Sequence, residues 1–346
     1  MIAQSEQCFS HRQDFNFAAK SILQLNAETI GCGTVNSTIS TCALRKTINI
    51  ANSESFPDSE STKIYMESKK DKKSILISGC SSGIGFSAAK ALSLRGWEVF
   101  AGCRKEKDIE FLQTNGLTPV RLDYNDQASL KDALSMILEK TNGRLDALFN
   151  NGAYSIPGAL EDMPTDAMRD IFETNVFGWH SLTRSVIPVM RQQGHGRIIQ
   201  CSSILGILAL SYRGPYNATK WAVEGLSDTL RLELEGSGIY VISIRPGPIS
   251  TKFRENSIPH FEKWIDRNSS YLKNVYEERL VPRLYDPDKA SIFQLEAEAV
   301  TKKVIQALEA RRPSMVYSVT LPTHFMGFLI RILPKFFLHR LLLLMS

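Results

Sequence analysis

Apolar residues follow two rhythms along this chain. The first is the short continuous run: Ser74-Ile75-Leu76-Ile77 reads as a buried strand, and 98–102, 118–122, 147–150, 197–201 and 240–245 read the same way. The second is a helical spacing. Within 126–141, Leu130, Ala133, Leu134, Ile137 and Leu138 fall on one face, and 175–191 and 214–235 follow the same period. An alanine-rich helical stretch through about residue 95 follows the first strand, and a short edge strand is expected over 314–319. Strand and helix therefore alternate. Alternation predicts right-handed crossovers and an α/β fold, a single doubly wound parallel sheet with helices on both faces and ligands at the carboxyl ends of the strands.

The ends of the chain depart from this pattern. Residues 1–70 are rich in Ser, Thr and Asn and close on Lys69-Lys70-Asp71-Lys72-Lys73, which reads as a poorly ordered extension. It lacks the apolar core of a signal peptide, and its acidic residues and sparse arginines fit a transit peptide poorly. Met66 stands eight residues before the first strand, so an over-extended gene start is the alternative. The folded domain is expected over 71–322 and a separate apolar and basic tail over 323–346. Of 346 residues, about 250 are then left for one doubly wound unit with a sizeable core. A net charge of +5 without a basic helix or long Lys/Arg run offers no case for nucleic acid. Six cysteines, at 8, 32, 42, 80, 103 and 201, form no C-x-x-C pair and read as reduced thiols, and no His/Asp/Glu cluster has metal-ligand spacing.

The polar motifs fall at the strand ends. In Tyr216-Asn217-Ala218-Thr219-Lys220, positions i and i+4 share a helix face, and a cation there favours the phenolate and lowers the phenol pKa toward the range of a general acid or base. Behind the first strand, Ser78-Gly79-Cys80-Ser81-Ser82-Gly83-Ile84-Gly85 is a glycine loop running into a helix. Gly79 suits a tight turn, Gly83 a close backbone approach to phosphate and Gly85 close helix packing, with a pyrophosphate at the positive helix end. The spacing G-x-x-x-G-x-G differs from the G-x-G-x-x-G of the ordinary dinucleotide fold.

Taken in order from about 74 to 251, these motifs resemble the short-chain dehydrogenase/reductase family, most nearly its hydroxysteroid- and retinol-dehydrogenase side. The resemblance implies a Rossmann-type fold and an NAD(P)-dependent oxidoreductase that interconverts carbonyls and alcohols. It implies a catalytic tetrad of Asn175, Ser203, Tyr216 and Lys220: Ser203 polarises the carbonyl, Tyr216 moves the proton, Lys220 holds the nicotinamide ribose and lowers the phenol pKa, and Asn175 supports a water in the proton relay. Ser202 is the rival of Ser203, and Tyr212, without a lysine partner, is the better candidate for a pocket wall. For the cofactor, the resemblance implies contacts from Gly79, Ser81, Ser82, Gly83, Ile84 and Gly85, from Asp123 near the adenine, and from Pro246, Gly247, Ile249 and Thr251 over the nicotinamide, besides Tyr216 and Lys220. Asn150-Asn151-Gly152-Ala153 stands where the family usually has Asn-Asn-Ala-Gly, so Asn151 and Gly152 border the adenosine side in a transposed version of that turn. At the end of the second strand Cys103 replaces the acid that would pair with the ribose of NAD, and Arg104 beside it can grip a 2′-phosphate, which favours NADP(H) over NAD(H).

Residues 253 to about 290, with Phe253, Phe261, Trp264, Tyr271 and Tyr276, occupy the region that lids the substrate pocket in this family and suggest a small hydrophobic carbonyl or alcohol as substrate. In the tail, Arg331, Lys335 and His339 are spaced by four and predict a basic stripe opposite leucines and phenylalanines, broken or kinked at Pro334. Such a tail suits the membrane interface better than a span, and packing on its own domain or on a second subunit is the competing expectation. The expected location is cytoplasmic with membrane association open, and a homo-oligomer is equally open. Two other functions stay in play: an NADP-binding scaffold or redox sensor without turnover, and a membrane-associated interaction protein.

Overall fold

In the computed structural model the described residues are 72–286 and 293–345. The extension up to 70, Met66, and Cys8, Cys32 and Cys42 lie outside them, as do 287–292 of the lid. The runs of apolar residues become β1 (Ser74–Ile77), β2 (Glu98–Cys103), β3 (Thr118–Arg121), β4 (Ala147–Asn150), β5 (Gly196–Cys201) and β6 (Ile239–Arg245). The helices between them are α1 (Gly83–Leu94), α2 (Glu106–Thr114), α3 (Gln127–Lys140), α4 (Thr165–Phe172), α5 (Trp179–Gln193) and α6 (Gly214–Glu233). After β6 come β7 (Ile249–Ser250), the lid helix α7 (Phe253–Trp264), helical turns through Tyr285, β8 (Leu295–Glu296), α8 (Ala297–Glu309), β9 (Val316–Ser318), α9 (Leu321–Ile332) and α10 (Lys335–Met345).

Seven strands form one sheet in the order β3-β2-β1-β4-β5-β6-β9, every pair parallel. The order reverses between β1 and β4, which makes this the switch point where a doubly wound sheet opens a crevice. All residues of β1 and of β4 are buried, so both faces of the sheet are covered. Ile75, Leu76, Ile77, Leu148, Phe149 and Ile198 form the centre of the core. β9 is the expected edge strand, shorter than predicted.

Two local expectations need correction. The helix expected from 175 instead begins at Thr165 and passes through a π-helical segment, Glu173–Gly178, before α5. Asn175 thus lies in the middle of a long helical path, where the widened turn re-aims its side chain. In the tail, Pro334 breaks the helix as expected, but Arg331 and Lys335 now belong to different helices. The basic stripe does not stand opposite the phenylalanines: Arg331, Lys335, Arg340, Phe325, Phe328, Ile332, Phe336 and Phe337 are all exposed, and Arg340 lies 4.9 Å from the Phe336 ring centre. The face that turns inward carries Met326, Leu329, Ile330, Leu338 and Leu341, packed against Leu205, Leu208 and Tyr216.

Candidate active site

The crevice is built from the turn after β1. Gly79 takes φ +67°, a left-handed conformation that glycine adopts without strain, and a Cβ there would stand 2.6 Å from the Gly152 Cα. A Cβ on Gly85 would meet the Gly79 carbonyl at 2.3 Å, so the start of α1 can lie this close to the loop only with glycine in place. Ser82 caps α1 without a side-chain hydrogen bond, and the helix carries no acid in its first turn. The orphan N–H groups of this 12-residue helix face the loop unneutralised, a setting suited to an anion.

The Asn150–Gly152 turn is tied to this loop by its own polar groups. Ser78 Oγ accepts from the Asn151 and Gly152 N–H groups at 2.9 and 3.0 Å, and Asn151 Nδ2 donates to the Ser78 carbonyl at 3.0 Å. Tyr124 donates to Asn150 Oδ1 at 2.7 Å, and Trp179 Nε1 donates to the Gly152 carbonyl at 2.8 Å. The transposed Gly-Ala turn is thus held in place by Ser78, Tyr124 and Trp179, none of which the motif reading singled out. On the far side Thr251 touches the position a Gly83 Cβ would take, at 3.0 Å, and the Pro246 carbonyl accepts from the Ile204 N–H at 2.8 Å. Gly247 packs on the Thr320 hydroxyl, Ile249 pairs with Leu295 in the β7–β8 ribbon, and Asp123 accepts from the Asn125 N–H at 3.1 Å. Arg104 is exposed beside the buried Cys103 at the end of β2. A glycine cradle, a free helix end and residues from several strand ends thus surround the crevice.

The expected tetrad comes together at the ends of β4, β5 and β6. Ser203 follows β5, accepts from the Leu205 N–H at 3.1 Å, and lies near enough to the Tyr216 phenol to act on it. The rival Ser202 is buried, and its hydroxyl has no partner among the described residues. Lys220 is fully buried one turn after Tyr216 on α6 and donates to the Cys201 carbonyl at 2.7 Å; its ammonium lies 4.3 Å from the Trp179 ring centre and 5.4 Å from that of Tyr216. Asn175, also fully buried, accepts from the Tyr154 N–H at 3.1 Å and donates to the Tyr154 carbonyl at 2.9 Å and to Thr219 at 3.3 Å.

The electrostatics depart from expectation at one point. The Tyr216 phenol is pushed up, not down, because burial outweighs every opposing influence; the groups that pull it back are the Ser203 hydrogen bond and the Arg213 charge. Lys220, its ammonium turned to the Cys201 carbonyl, is itself driven down by burial to about 8. Arg213 is a residue the motif reading missed. It lies outside the Tyr-x-x-x-Lys spacing, and nothing local marks it.

Above the tetrad, Phe253 meets Tyr216 edge-on with ring centres 5.2 Å apart. Trp264 packs beside Tyr154 and Tyr216. Phe261 and Tyr276 pack on each other within the lid, and Tyr271 is exposed. Of the five lid aromatics, only Phe253 and Trp264 border the tetrad. Tyr212 stands on the lid side as a wall, at φ +59°.

The family model for short chain dehydrogenases matches residues 73–261. The chain belongs to that family. Among its relatives, the oxidoreductase YbbO of Escherichia coli is 38% identical over 263 residues, covering 76% of this chain and 91% of YbbO. Human retinol dehydrogenase 8 is 33% identical over 219 residues, covering 59% and 69%. Of solved structures, a short chain dehydrogenase/reductase from Burkholderia phymatum in complex with NAD superposes with a TM-score of 0.64 at 23% identity, covering 76% and 92%. A serine dehydrogenase complexed with NADP+ does so with 0.61 at 21%, covering 72% and 95%. This short-chain dehydrogenase is thus an oxidoreductase by family, and these solved structures share its fold.

Proposed function

We propose that this short-chain dehydrogenase is an NADP(H)-preferring carbonyl reductase or alcohol dehydrogenase for a hydrophobic substrate. The observation that carries the reading is the gathering of Ser203, Tyr216 and Lys220: Ser203 is near enough to pull the phenol down, the Lys220 ammonium lies 5.4 Å from its ring centre, and Phe253 meets that ring edge-on. A nicotinamide cofactor held by the glycine loop, Asn151, Thr251 and Lys220 would supply or take up the hydride. Ser203 donates to the substrate oxygen. Tyr216 gives that oxygen its proton in reduction and removes it in oxidation, a step that a phenol held protonated by burial is ready to begin in the reductive direction. Asn175 holds the backbone of Tyr154 through both its N–H and its carbonyl, which fixes the floor beside Thr219 and Lys220. The preference for NADP(H) rests on Arg104 and on the lack of an acid at Cys103.

The tail adds a second element. Exposed Phe325, Phe328, Phe336 and Phe337 beside Arg331, Lys335 and Arg340 suit the interface of an anionic lipid surface, and no helix of the described residues is long and apolar enough to cross a membrane.

Turnover with NADPH and NADH over steroid, retinoid, acyl and small carbonyls tests the reaction. Tyr216→Phe is expected to lose at least about a hundredfold in kcat. Undiminished turnover in that variant would remove Tyr216 from the mechanism.

A further inference from the structure

Among the described residues only three charged side chains are buried: Asp146, Lys220 and Glu224. Asp146 precedes β4, at the amino end of the sheet; the other two stand one turn apart on α6. Tyr216, Lys220 and Glu224 follow at i, i+4 and i+8, a spacing that keeps all three on one helix face. A carboxylate taken out of water needs a counter-charge. Arg245 supplies it: its Nε and Nη2 donate to Glu224 Oε1 and Oε2, each at 2.8 Å, as a bidentate fork.

The pair joins three parts of the site. Arg245 closes β6, and the next residue, Pro246, opens the loop to Thr251 and accepts the Ile204 N–H. On the other side the turn after Ser203 lies directly on α6. A Cβ on Gly206 would stand 3.0 Å from Glu224 Cγ and 3.1 Å from the Lys220 carbonyl. Glu224 is thus wedged between the Ser203 turn, Lys220 and the start of the 246–251 loop. The groups around the Lys220 ammonium are Cys201 from β5, the Trp179 ring from α5, Tyr216 and Glu224 on α6 itself, and Arg245 from β6 behind Glu224. Burial drives Lys220 down to about 8, and Cys201 and Glu224 hold it up. Burial also pushes the Cys201 thiol up to about 11, so near neutral pH it carries no charge. The negative charge that faces Lys220 there is the Glu224 carboxylate.

We infer that Glu224, locked by Arg245, is a positioning residue of the tetrad: its buried carboxylate keeps the Lys220 ammonium charged and α6 seated against the Ser203 turn and the 246–251 loop. This inference rests on the tetrad reading for turnover, but the charge on Lys220 can be read without it.

Stability supplies that reading. The gain from Lys220→Met over its parent falls as pH rises through the folded pKa of Lys220, so the pH at which it begins to fall reports that pKa. Denaturant melts between about pH 6 and 10.5 measure it. In a Glu224→Gln background that pH should move down by about one unit or more. Glu224→Met combined with Arg245→Met leaves no buried charge unpaired, and the same downward shift is expected there. In turnover, the alkaline limb of kcat/KM for carbonyl reduction should move down with it in both variants, because burial holds Tyr216 protonated and Lys220 is the tetrad group titrating nearest neutrality. A limb and a melt window that stay at the wild-type pH in both variants, or that shift in Glu224→Gln and return in the apolar pair, make Glu224 a packing residue. Either result overturns the inference and leaves the carbonyl reductase standing. A melt window that shifts in both variants, while the wild type reduces no carbonyl, keeps the hold of Glu224 on Lys220 and removes the reaction.

Discussion

Lys220 is the residue whose surroundings say most about cost. It is fully buried, so its charged form is disfavoured and its pKa falls from 10.5 to about 8. In the unfolded chain it stays protonated up to the ordinary value, so between pH 8 and 10.5 the unfolded state binds more protons and stability rises with pH. Below pH 8 both states carry the proton and the full penalty is present. Lys220→Met is therefore expected to gain stability relative to wild type at pH 7 and to lose that advantage toward pH 10, by up to about 3 kcal/mol across the window. Denaturant melts of both proteins at pH 7 and 9.5 check this, and a difference that does not move with pH would contradict it. Arg104 makes a second prediction. With no acid at Cys103 to favour NADH, Arg104→Ala should raise the KM for NADPH about tenfold or more and leave that for NADH within about twofold, read by steady-state kinetics.

At the scale of elements, the lid is anchored through Tyr276. Its hydroxyl accepts from the Ala159 N–H at 2.9 Å and donates to Asp162 at 2.7 Å, and Ser270 donates to the same carboxylate oxygen at 2.8 Å. Tyr276→Phe leaves a buried N–H and a carboxylate short of a partner, which should cost about 1–3 kcal/mol. Because the loss falls on the lid and not on the tetrad, KM should rise more than kcat falls. The helix pair α9–α10 has two apolar sides, one against Leu205, Leu208 and Tyr216 and one exposed with its cations. Co-sedimentation with vesicles containing phosphatidylglycerol should therefore recover the full chain and not one ending near residue 322; equal recovery of both would leave the tail a domain-packing element alone.

For the whole molecule, what was legible in the sequence was what is local. Strands showed because each is a short apolar run closed by a glycine, a proline or a polar residue, and the four expected tetrad positions came from the resemblance of their motifs to the family rather than from any period in the chain. The π-helical segment at Asn175 did not show, since one extra residue in a turn leaves no mark on a helical period. The sign of the Tyr216 shift was missed for a related reason: i to i+4 spacing reports a shared face but not how deeply the face is buried, nor that Lys220 spends a donor on Cys201. Arg213, Arg279 and Arg283 meet across a lid whose folding no pattern within 253–290 discloses.

The sheet order has its own consequence for how fast the protein forms. The earliest strand, β1, sits at the centre, and its neighbour β4 lies more than 70 residues further on, Ile75 beside Ala147. Neither half of the crevice can be closed by a hairpin, and every pairing must wait for a crossover, so loop entropy is lost before strand contacts repay it. Refolding from denaturant should accordingly take seconds rather than milliseconds, with the unpaired edges of β1 and β4 exposed to other chains in the meantime.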